Sequence, residues 1–147
     1  MDAYDSKILR LLIQNSRVTG ADIARKISLS LPAVTERLRK LDRSGIIDRY
    51  TIKVNREQLS LHLMAYINVW IDHTKNTTVK DQLVAMDEVM ECHHVAGDSD
   101  LLLKVLVKDT AALEQLLVGK IKAIKGISRT STTIILSSYK EEINARI

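Results

Sequence analysis

Residues 21–44 constrain the fold of this chain more than any other stretch. They predict two short helices that are joined by a tight turn at residues 28–29. Ser30 is a favoured helix cap, and Pro32 falls in the first turn of the second helix, where a missing N–H costs nothing. Apolar residues then recur at spacings of three and four, which places them on one buried face. These residues are Leu31, Val34, Leu38 and Leu41.

The opposite face of the second helix is polar and mainly basic, and small residues lead it. A helix with an apolar back and a basic front suits insertion into the major groove of DNA. The alternative interpretation is an ordinary helical hairpin with a solvated charged face. The candidate DNA-binding residues are Ser30, Pro32, Ala33, Thr35, Glu36, Arg37, Arg39, Lys40 and Arg43.

The helix before the turn completes a helix-turn-helix pattern. Thr19 and Asp22 have the spacing of a capping box, with Asp in place of the usual Glu. Ala24 is small, as a residue must be where two helices cross closely. Ser28 stands where glycine is usual, so a left-handed backbone at this position costs about 1 kcal/mol. The inward apolar residues of this segment are Ile23, Ile27 and Leu29.

A first helix is predicted over residues 2–15, with Asp5 or Ser6 as its cap. It closes a three-helix core with the other two helices, so residues 1–55 are expected to form a helix-turn-helix domain. Residues 56–62 are predicted to be a short, firm linker. The inward residues of the first helix are Ile8, Leu9, Leu12 and Ile13.

Residues 46–54 alternate between apolar and polar side chains, directly after Gly45, which is placed to end the third helix in a left-handed cap. The alternation predicts a strand, either the wing of a winged helix-turn-helix domain or a strand that pairs with a partner subunit. Arg49 and Lys53 would suit flanking phosphates. A plain solvated strand edge is the other interpretation.

The positive charge is concentrated in the first part of the chain. Residues 1–60 carry 12 Lys and Arg against 7 Asp and Glu, whereas the remainder carries 10 against 11. The excess therefore accompanies the helix-turn-helix, as a phosphate-binding footprint would. Aromatic residues make up only 3% of the chain, which argues against proteins that stack bases of RNA or single strands on aromatic side chains.

Cysteine content and the N-terminus bear on location. Cys92 is the one cysteine, so no disulfide within the chain is expected, which fits a reducing cytoplasm. The N-terminus lacks the cleavage site of a signal peptide, and no apolar run approaches the ~20 residues of a membrane span. We therefore expect a cytoplasmic, nucleoid-associated protein without a membrane partner.

Residues 63–147 have the order strand, helix, strand, strand, helix, strand, which predicts a ferredoxin-like domain and an α+β fold for the whole chain. Four antiparallel strands lie on one side and two helices on the other. The strands are expected at 63–72, 89–96, 101–107 and 127–139, and the helices at 77–86 and at 110–122, the latter capped by Thr110.

Two helices can cover only one face of such a sheet. The other face would hold Met64, Tyr66 and Trp70, or else the alternating set, and either is too apolar to stay exposed to water. We therefore expect a homodimer formed by sheet-to-sheet packing. A two-fold protein also brings two recognition helices to the two half-sites of a palindrome in double-stranded DNA.

Several spaced motifs in this order resemble the Lrp/AsnC family, the leucine-responsive or feast/famine regulators. The resemblance covers nearly the whole chain and implies a DNA-binding transcriptional regulator whose dimers assemble further, commonly to octamers, and that can bend or wrap DNA. The motifs are Asp5-x-x-Ile8-Leu9-x-x-Leu12-x-x-Asn15-x-Arg17, Leu29-Ser30-x-x-x-Val34-x-x-Arg37-Leu38-x-x-Leu41-x-x-x-Gly45-Ile46-Ile47, Gly97-x-x-Asp100-Leu101-Leu102-Leu103-Lys104-Val105 and Gly126-Ile127-x-x-x-x-Thr132.

The resemblance also implies an amino-acid effector, bound in a crevice between dimers near the Gly-x-x-Asp turn. The chain departs from the family pattern at Ser99, where an aromatic is frequent, and at Ala96, where Thr is frequent. A plain hairpin turn is the alternative explanation of this Gly and Asp content. The residues implied in effector binding are Gly97, Asp98, Ser99, Asp100, Thr130, Thr132 and Thr133.

Other interpretations receive less support. Cys92 and His94 share a strand face and His93 points away, so they do not supply the four ligands of a zinc site. No phosphate loop, nucleophile elbow or dinucleotide fingerprint is present, so neither an enzyme nor a cofactor is expected. Residues 37–43 are not expected to bind a membrane surface, because their apolar side chains are required in the three-helix core. An architectural protein that wraps DNA without an effector, and a small-molecule sensor or enzyme built on the second half, remain as alternatives.

Overall fold

The computed structural model describes residues 1–75 and 78–144. Its contacts divide the chain into two units, one of residues 1–54 with the tail from residue 140, the other of residues 55–139. This differs from the expected division, because the tail groups with the first unit and the expected linker with the second. The tail is held there in part by Lys53, whose Nζ donates to the carbonyl oxygen of Glu141 at 2.9 Å.

The first unit contains the three expected helices: α1 Ala3–Gln14, α2 Gly20–Ile27 and α3 Leu31–Arg43. Asp2, not Asp5 or Ser6, caps α1, because its carboxylate accepts from the N–H groups of Tyr4 and Asp5. Asp5 instead closes a capping box by accepting from the Asp2 N–H at 3.0 Å. The expected caps of the other helices are confirmed, since Thr19 Oγ1 accepts from the Asp22 N–H and Ser30 Oγ from the Ala33 N–H.

The turn of the helix-turn-helix is left-handed at Ser28, with φ 56° and ψ 46°, as expected. The Ser28 N–H still donates to the Ala24 carbonyl, so the turn continues directly from α2. Gly45 ends α3 with φ 70°, again as expected. Both positions need a backbone conformation that a Cβ disfavours, and only the second carries glycine.

The core of the first unit is formed where the three helices cross. Two residues that were assigned to it are exposed: Leu31 retains 50% of its accessible surface and Ile13 retains 44%. Leu31 is the first residue of α3 and precedes the helix crossing, and Ile13 lies near the end of α1. The buried residues are Ile8, Leu9, Ile23, Ala24, Ile27, Val34 and Leu41.

Residues 46–54 form no strand within the chain, whereas the alternative of a strand that pairs with a partner subunit stays a prediction. A strand needs a neighbour that takes up its backbone N–H and C=O groups, and none pairs with this segment among the residues that the structure describes. Four of its five apolar side chains, Ile46, Tyr50, Ile52 and Val54, are exposed, and the fifth, Ile47, packs half-buried against the core of the three helices.

The second unit is a four-stranded antiparallel sheet in the order β2-β3-β1-β4, with its helices on one face, so the ferredoxin-like prediction is confirmed. A single 3₁₀ turn, Glu57–Leu59, precedes it. The elements are β1 Leu63–Ile71, α4 Val79–Val84, β2 Val89–His94, β3 Leu101–Val107, α5 Thr110–Glu114 with a wider π-helical continuation Gln115–Ile121, and β4 Ile127–Ile135.

The ends of several elements differ from expectation. Asp109 caps α5 in place of Thr110, because its carboxylate accepts from the Ala112 N–H at 2.9 Å. The last strand ends at Ile135, and beyond it Leu136 and Tyr139 are 96% and 98% exposed. Residues 136–139 therefore do not extend the last strand, although two of them are apolar. Residue 77, the expected start of the first helix of this unit, lies outside the described residues.

The two faces of the sheet differ as the alternation predicts. Ala65, Ile67 and Val69 of β1 are buried under the helices. On the other face Tyr66 is exposed and Trp70 is half-buried, with the Arg129 guanidinium 4.3 Å from the centre of its ring. This second face, which we call the open face, has no helix over it in the described part of the unit.

Candidate nucleic-acid interface

The orientation of α3 in its unit is fixed by its apolar side. Val34 and Leu41 are almost fully buried, with 0% and 1% exposure. The residues on the opposite side of the helix are exposed, as the sequence predicted. These residues are Pro32, Glu36, Arg39, Lys40 and Arg43.

The charged side chains of this exposed face are only weakly engaged. Arg39 Nη1 lies 3.9 Å from Glu36 Oε2, which is a loose contact between two side chains that water surrounds. Neither Lys40 nor Arg43 has an ion pair with the part of the chain that the structure describes. Such cations can contact phosphates without first breaking an ion pair within the chain, so this face is suited to a polyanion.

The start of α3 is built from small and apolar residues. Ser30 Oγ accepts from the Ala33 N–H at 3.4 Å, and Thr35 Oγ1 donates to the Leu31 carbonyl at 2.9 Å. Both hydroxyl groups are therefore used within the helix. The first turn carries no acidic residue, so nothing there opposes the positive end of the helix dipole.

Arg37 differs from the other candidates on α3. Its Nη1 lies 2.7 Å from Asp2 Oδ2 and 2.7 Å from Asp5 Oδ1, and its guanidinium lies 5.3 Å from the Tyr4 ring centre. These contacts raise the pKa of Arg37, first through Asp2 and then through Asp5. The side chain is thus directed at the start of α1, a contact that the sequence pattern of α3 did not indicate.

The two aspartates that contact Arg37 are stabilised in their ionised form. The Asp5 N–H, and after it Arg37, lowers the pKa of Asp2 to about 2. The pKa of Asp5 is also lowered, mainly by the Asp2 N–H. Asp5 is 1% exposed, so its charge needs these partners. The sequence feature that could have indicated this ion-pair site is the pair of acidic residues, Asp2 and Asp5, about one helical turn apart at the start of a basic domain.

Arg49 and Lys53 were expected near flanking phosphates. Arg49 Nε lies 3.1 Å from Asp48 Oδ2, and Lys53 Nζ donates to the tail. The phosphate role of these two residues stays a prediction.

In the second unit, the Gly-x-x-Asp turn joins β2 to β3. The Asp100 carboxylate accepts from the Ile71 N–H at 2.7 Å and lies 3.1 Å from His73 Nε2. The Ile71 N–H, followed by His73, lowers the pKa of Asp100. Asp100 therefore ties the turn to the end of β1, a structural task that the residue pattern alone did not indicate.

The other residues of this turn differ in exposure. Ser99 is buried and its Oγ donates to Asn68 Oδ1 at 3.0 Å. Gly97 and Asp98 are exposed, and a side chain added at Gly97 would meet nothing within 4 Å. The first half of the turn is thus the more accessible half, whereas Asp100 is half-buried and Ser99 is buried.

The threonines of β4 that were grouped with this turn do not share one position. Thr130 pairs with Val69, which in turn pairs with Leu101, so Thr130 lies at the turn's end of the sheet. Thr132 lies two residues further along β4. Thr133 pairs with Tyr66 and lies on the open face. The register therefore brings Thr130 nearest to the turn and separates Thr133 from it.

The cysteine and histidines of β2 make ordinary contacts. Cys92 is half-buried, and burial raises the pKa of its thiol. His93 Nε2 lies 3.2 Å from Glu91 Oε2. Across residues 1–75 and 78–144, no group of three or more His, Cys, Asp or Glu side chains could hold a metal ion. Over the same ranges, no helix has the length and apolar character to cross a membrane.

Two family models match the chain, one for each unit. Residues 1–48 match the model described as "Winged helix-turn-helix DNA-binding". Residues 64–145 match the model described as "Lrp/AsnC ligand binding domain".

Known proteins match over almost the full length. An uncharacterised HTH-type transcriptional regulator of Pyrococcus horikoshii is 32% identical over 97% of both chains. The leucine-responsive regulatory protein of Haemophilus influenzae is 31% identical, over 96% of this chain and 87% of that protein. The solved feast or famine regulatory protein of M. tuberculosis complexed with L-methionine is 29% identical, with a TM-score of 0.89 and 99% coverage of both chains. The chain therefore belongs to the Lrp/AsnC family of helix-turn-helix transcriptional regulators.

Proposed function

We propose that the chain binds the major groove of duplex DNA through the exposed face of α3 and regulates transcription as a dimer-based oligomer. The observation that carries the proposal is the two-sided character of this helix. Val34 and Leu41 anchor it in the core, while Arg39, Lys40 and Arg43 remain free to contact DNA. We further propose that it acts at the nucleoid of the cytoplasm, because that is where its ligand would be found.

The exposed face offers two kinds of contact. Arg39, Lys40 and Arg43 can neutralise phosphates or donate to guanine, and Glu36 can accept from the amino group of cytosine. Arg37 is better assigned to orienting α3, because its guanidinium is already bound by two carboxylates. Ser30 and Thr35 are better assigned to the local structure of the helix, because their hydroxyl groups form hydrogen bonds with its backbone.

Salt dependence of binding tests this proposal. Arg39→Ala/Lys40→Ala should weaken binding to duplex DNA and reduce the slope of log K against log salt by about two for each bound subunit, since each lost phosphate contact removes nearly one counterion. Lys80→Ala/Lys122→Ala is the matched control, because it removes the same charge from exposed positions of the second unit. Equal slopes for the two variants would contradict the proposal.

The oligomer is proposed to form through the open face of the sheet. Trp70, Leu102 and Leu106 are half-buried there and Tyr66 is exposed, an apolar surface that a second copy would cover. In sedimentation, the wild type should run as a dimer or a higher oligomer such as an octamer, and Tyr66→Glu should run as a smaller species. Val84→Glu, at an exposed position of α4, is the control. A wild-type monomer at working concentration would overturn this part.

An amino acid is proposed as the effector, bound at the Gly97–Asp100 turn with Thr130 nearby and Thr132 and Thr133 further along β4. Support comes from the exposure of Gly97 and Asp98 and from the M. tuberculosis relative, which was solved with L-methionine. The Asp100 carboxylate is engaged within the chain, so Asp98 is the carboxylate left to receive an ammonium group.

A thermal-shift screen with the twenty amino acids tests the effector. A ligand at one hundred times its Kd should add about 2.7 kcal/mol to the free energy of unfolding. Asp98→Asn should lose the shift, whereas Asp81→Asn on α4 should keep it. An absence of any shift with the wild type would count against an amino-acid effector and leave the DNA-binding proposal intact.

A further inference from the structure

We infer that Leu31, at the tip of α3, contacts the 5-methyl group of a thymine and so contributes to the sequence preference of this regulator. The inference rests on the proposed insertion of α3 into the major groove. It assigns recognition of a DNA base to a residue whose spacing had predicted a core position.

Leu31 is exposed and yet held in place. Half of its surface remains accessible, although it belongs to the apolar series of α3. Its Cδ1 lies against the first residue of α2, only 3.3 Å from where a Cβ on Gly20 would stand. The absence of a side chain at Gly20 therefore makes room for the leucine. A side chain held against a neighbouring helix loses less conformational freedom when it binds.

The first three residues of α3 carry no hydrogen-bonding side chain. Residues 31–33 are Leu, Pro and Ala, and the nearest hydroxyl groups, on Ser30 and Thr35, bond to the backbone of the helix. Thymine is the one base that presents a methyl group in the major groove. Apolar contact with this methyl is therefore the base-specific interaction that the side chains of residues 31–33 can make.

The position of Leu31 separates it from other exposed leucines. A single exposed leucine such as Leu136 is ordinary in a folded protein. Leu31, however, is the first residue of the proposed recognition helix, and the N-terminal residues of such helices contact base edges. The exposed cations of the same helix begin about two turns later, at Arg39, because Arg37 is directed at α1. The helix thus divides into an apolar tip and a cationic second half.

Deoxyuridine scanning tests the inference with the full-length protein. A high-affinity duplex is first selected from a random library, and each thymidine is then replaced in turn by deoxyuridine, which removes only the methyl group. For the wild type, we expect one thymidine per half-site at which the replacement raises Kd about fourfold, the effect of one buried methyl-sized group.

The variants Leu31→Ala and Leu31→Met distinguish this contact from general effects. Leu31→Ala should bind about sixteenfold more weakly, about fourfold for each of the two half-sites, and should no longer respond to deoxyuridine at that position. Leu31→Met should keep most of the response, because it keeps the apolar volume. Leu136→Ala, with an equal loss of volume at an exposed site of the second unit, should leave the deoxyuridine response unchanged.

The outcomes separate this inference from the proposed function. Tight binding of the selected duplex with no methyl-dependent position, or with one that Leu31→Ala retains, overturns the inference alone. Failure of the wild type to bind any duplex in dilute buffer overturns both.

Discussion

Arg37 Nη1 lies 2.7 Å from Asp5 Oδ1 and joins the middle of α3 to the first turn of α1. The carboxylate of Asp5 is buried, and its second oxygen accepts from the Asp2 N–H. The same arginine lies 2.7 Å from Asp2 Oδ2. One cation of α3 therefore contacts both acidic residues at the start of the chain, and it links the cap of α1 to the orientation of α3.

Removal of Arg37 should destabilise the first unit chiefly because it leaves the buried charge of Asp5 without its cation. Arg37→Met should lower the unfolding midpoint markedly in the wild-type background and far less in an Asp5→Asn background. A double-mutant cycle followed by circular dichroism measures this coupling. Equal losses in the two backgrounds would show that Arg37 acts independently of Asp5.

Acid should destabilise the chain through its two most strongly lowered carboxyl groups. Asp2 in the first unit and Asp72 in the second each have a pKa of about 2, below the ordinary value of 3.8. A lowered folded-state pKa means that the ionised form favours the fold. The stabilisation is therefore complete above pH 3.8 and is lost as the pH falls toward 2.

The pH profile of the thermal midpoint checks this expectation. Asp2→Asn/Asp72→Asn should have a lower midpoint at neutral pH and a flatter profile between pH 3.8 and 2 than the wild type. Asp98→Asn, at an exposed turn position, serves as the control. A double variant as steep as the wild type would contradict the assignment.

Truncation of Leu41 should show how far the core supports α3. The residue is 1% exposed, and Leu41→Ala should cost about 3 kcal/mol, the usual loss for a buried leucine. Leu136→Ala, at a position that is 96% exposed, should cost less than about 0.5 kcal/mol. Urea titrations of the two variants give both values, and similar losses would contradict the packing of α3.

Glycine at position 28 should stabilise the helix-turn-helix. Ser28 has φ 56°, and a left-handed residue with a Cβ costs about 1 kcal/mol. The greater freedom of glycine in the unfolded chain offsets part of the gain. Ser28→Gly should therefore raise the thermal midpoint, and Ser28→Val should lower it. A decrease with glycine would mean that the serine side chain itself stabilises the turn.

Local rules explain most of what could be predicted before the structure. The helix caps at Thr19 and Ser30, the left-handed turn at Ser28 and the order of strands and helices all depend on neighbouring residues or on periodicity. These interactions lie within a few residues of one another, so the sequence contains them directly. The resemblance to the family depended on the same short, spaced motifs.

Tertiary structure decided the features that depend on a distant partner. Arg37 was predicted among the candidate DNA-binding residues of α3, yet its guanidinium contacts two carboxylates 32 and 35 residues away at the start of α1. Leu31 has core spacing, yet it lies before the helix crossing and remains half exposed. Residues 46–54 alternate like a strand, but a strand forms only where a second backbone takes up its hydrogen bonds. The sequence by itself therefore determined the helices, the turns and the family, whereas the partner of each side chain depended on which surfaces the fold brought together.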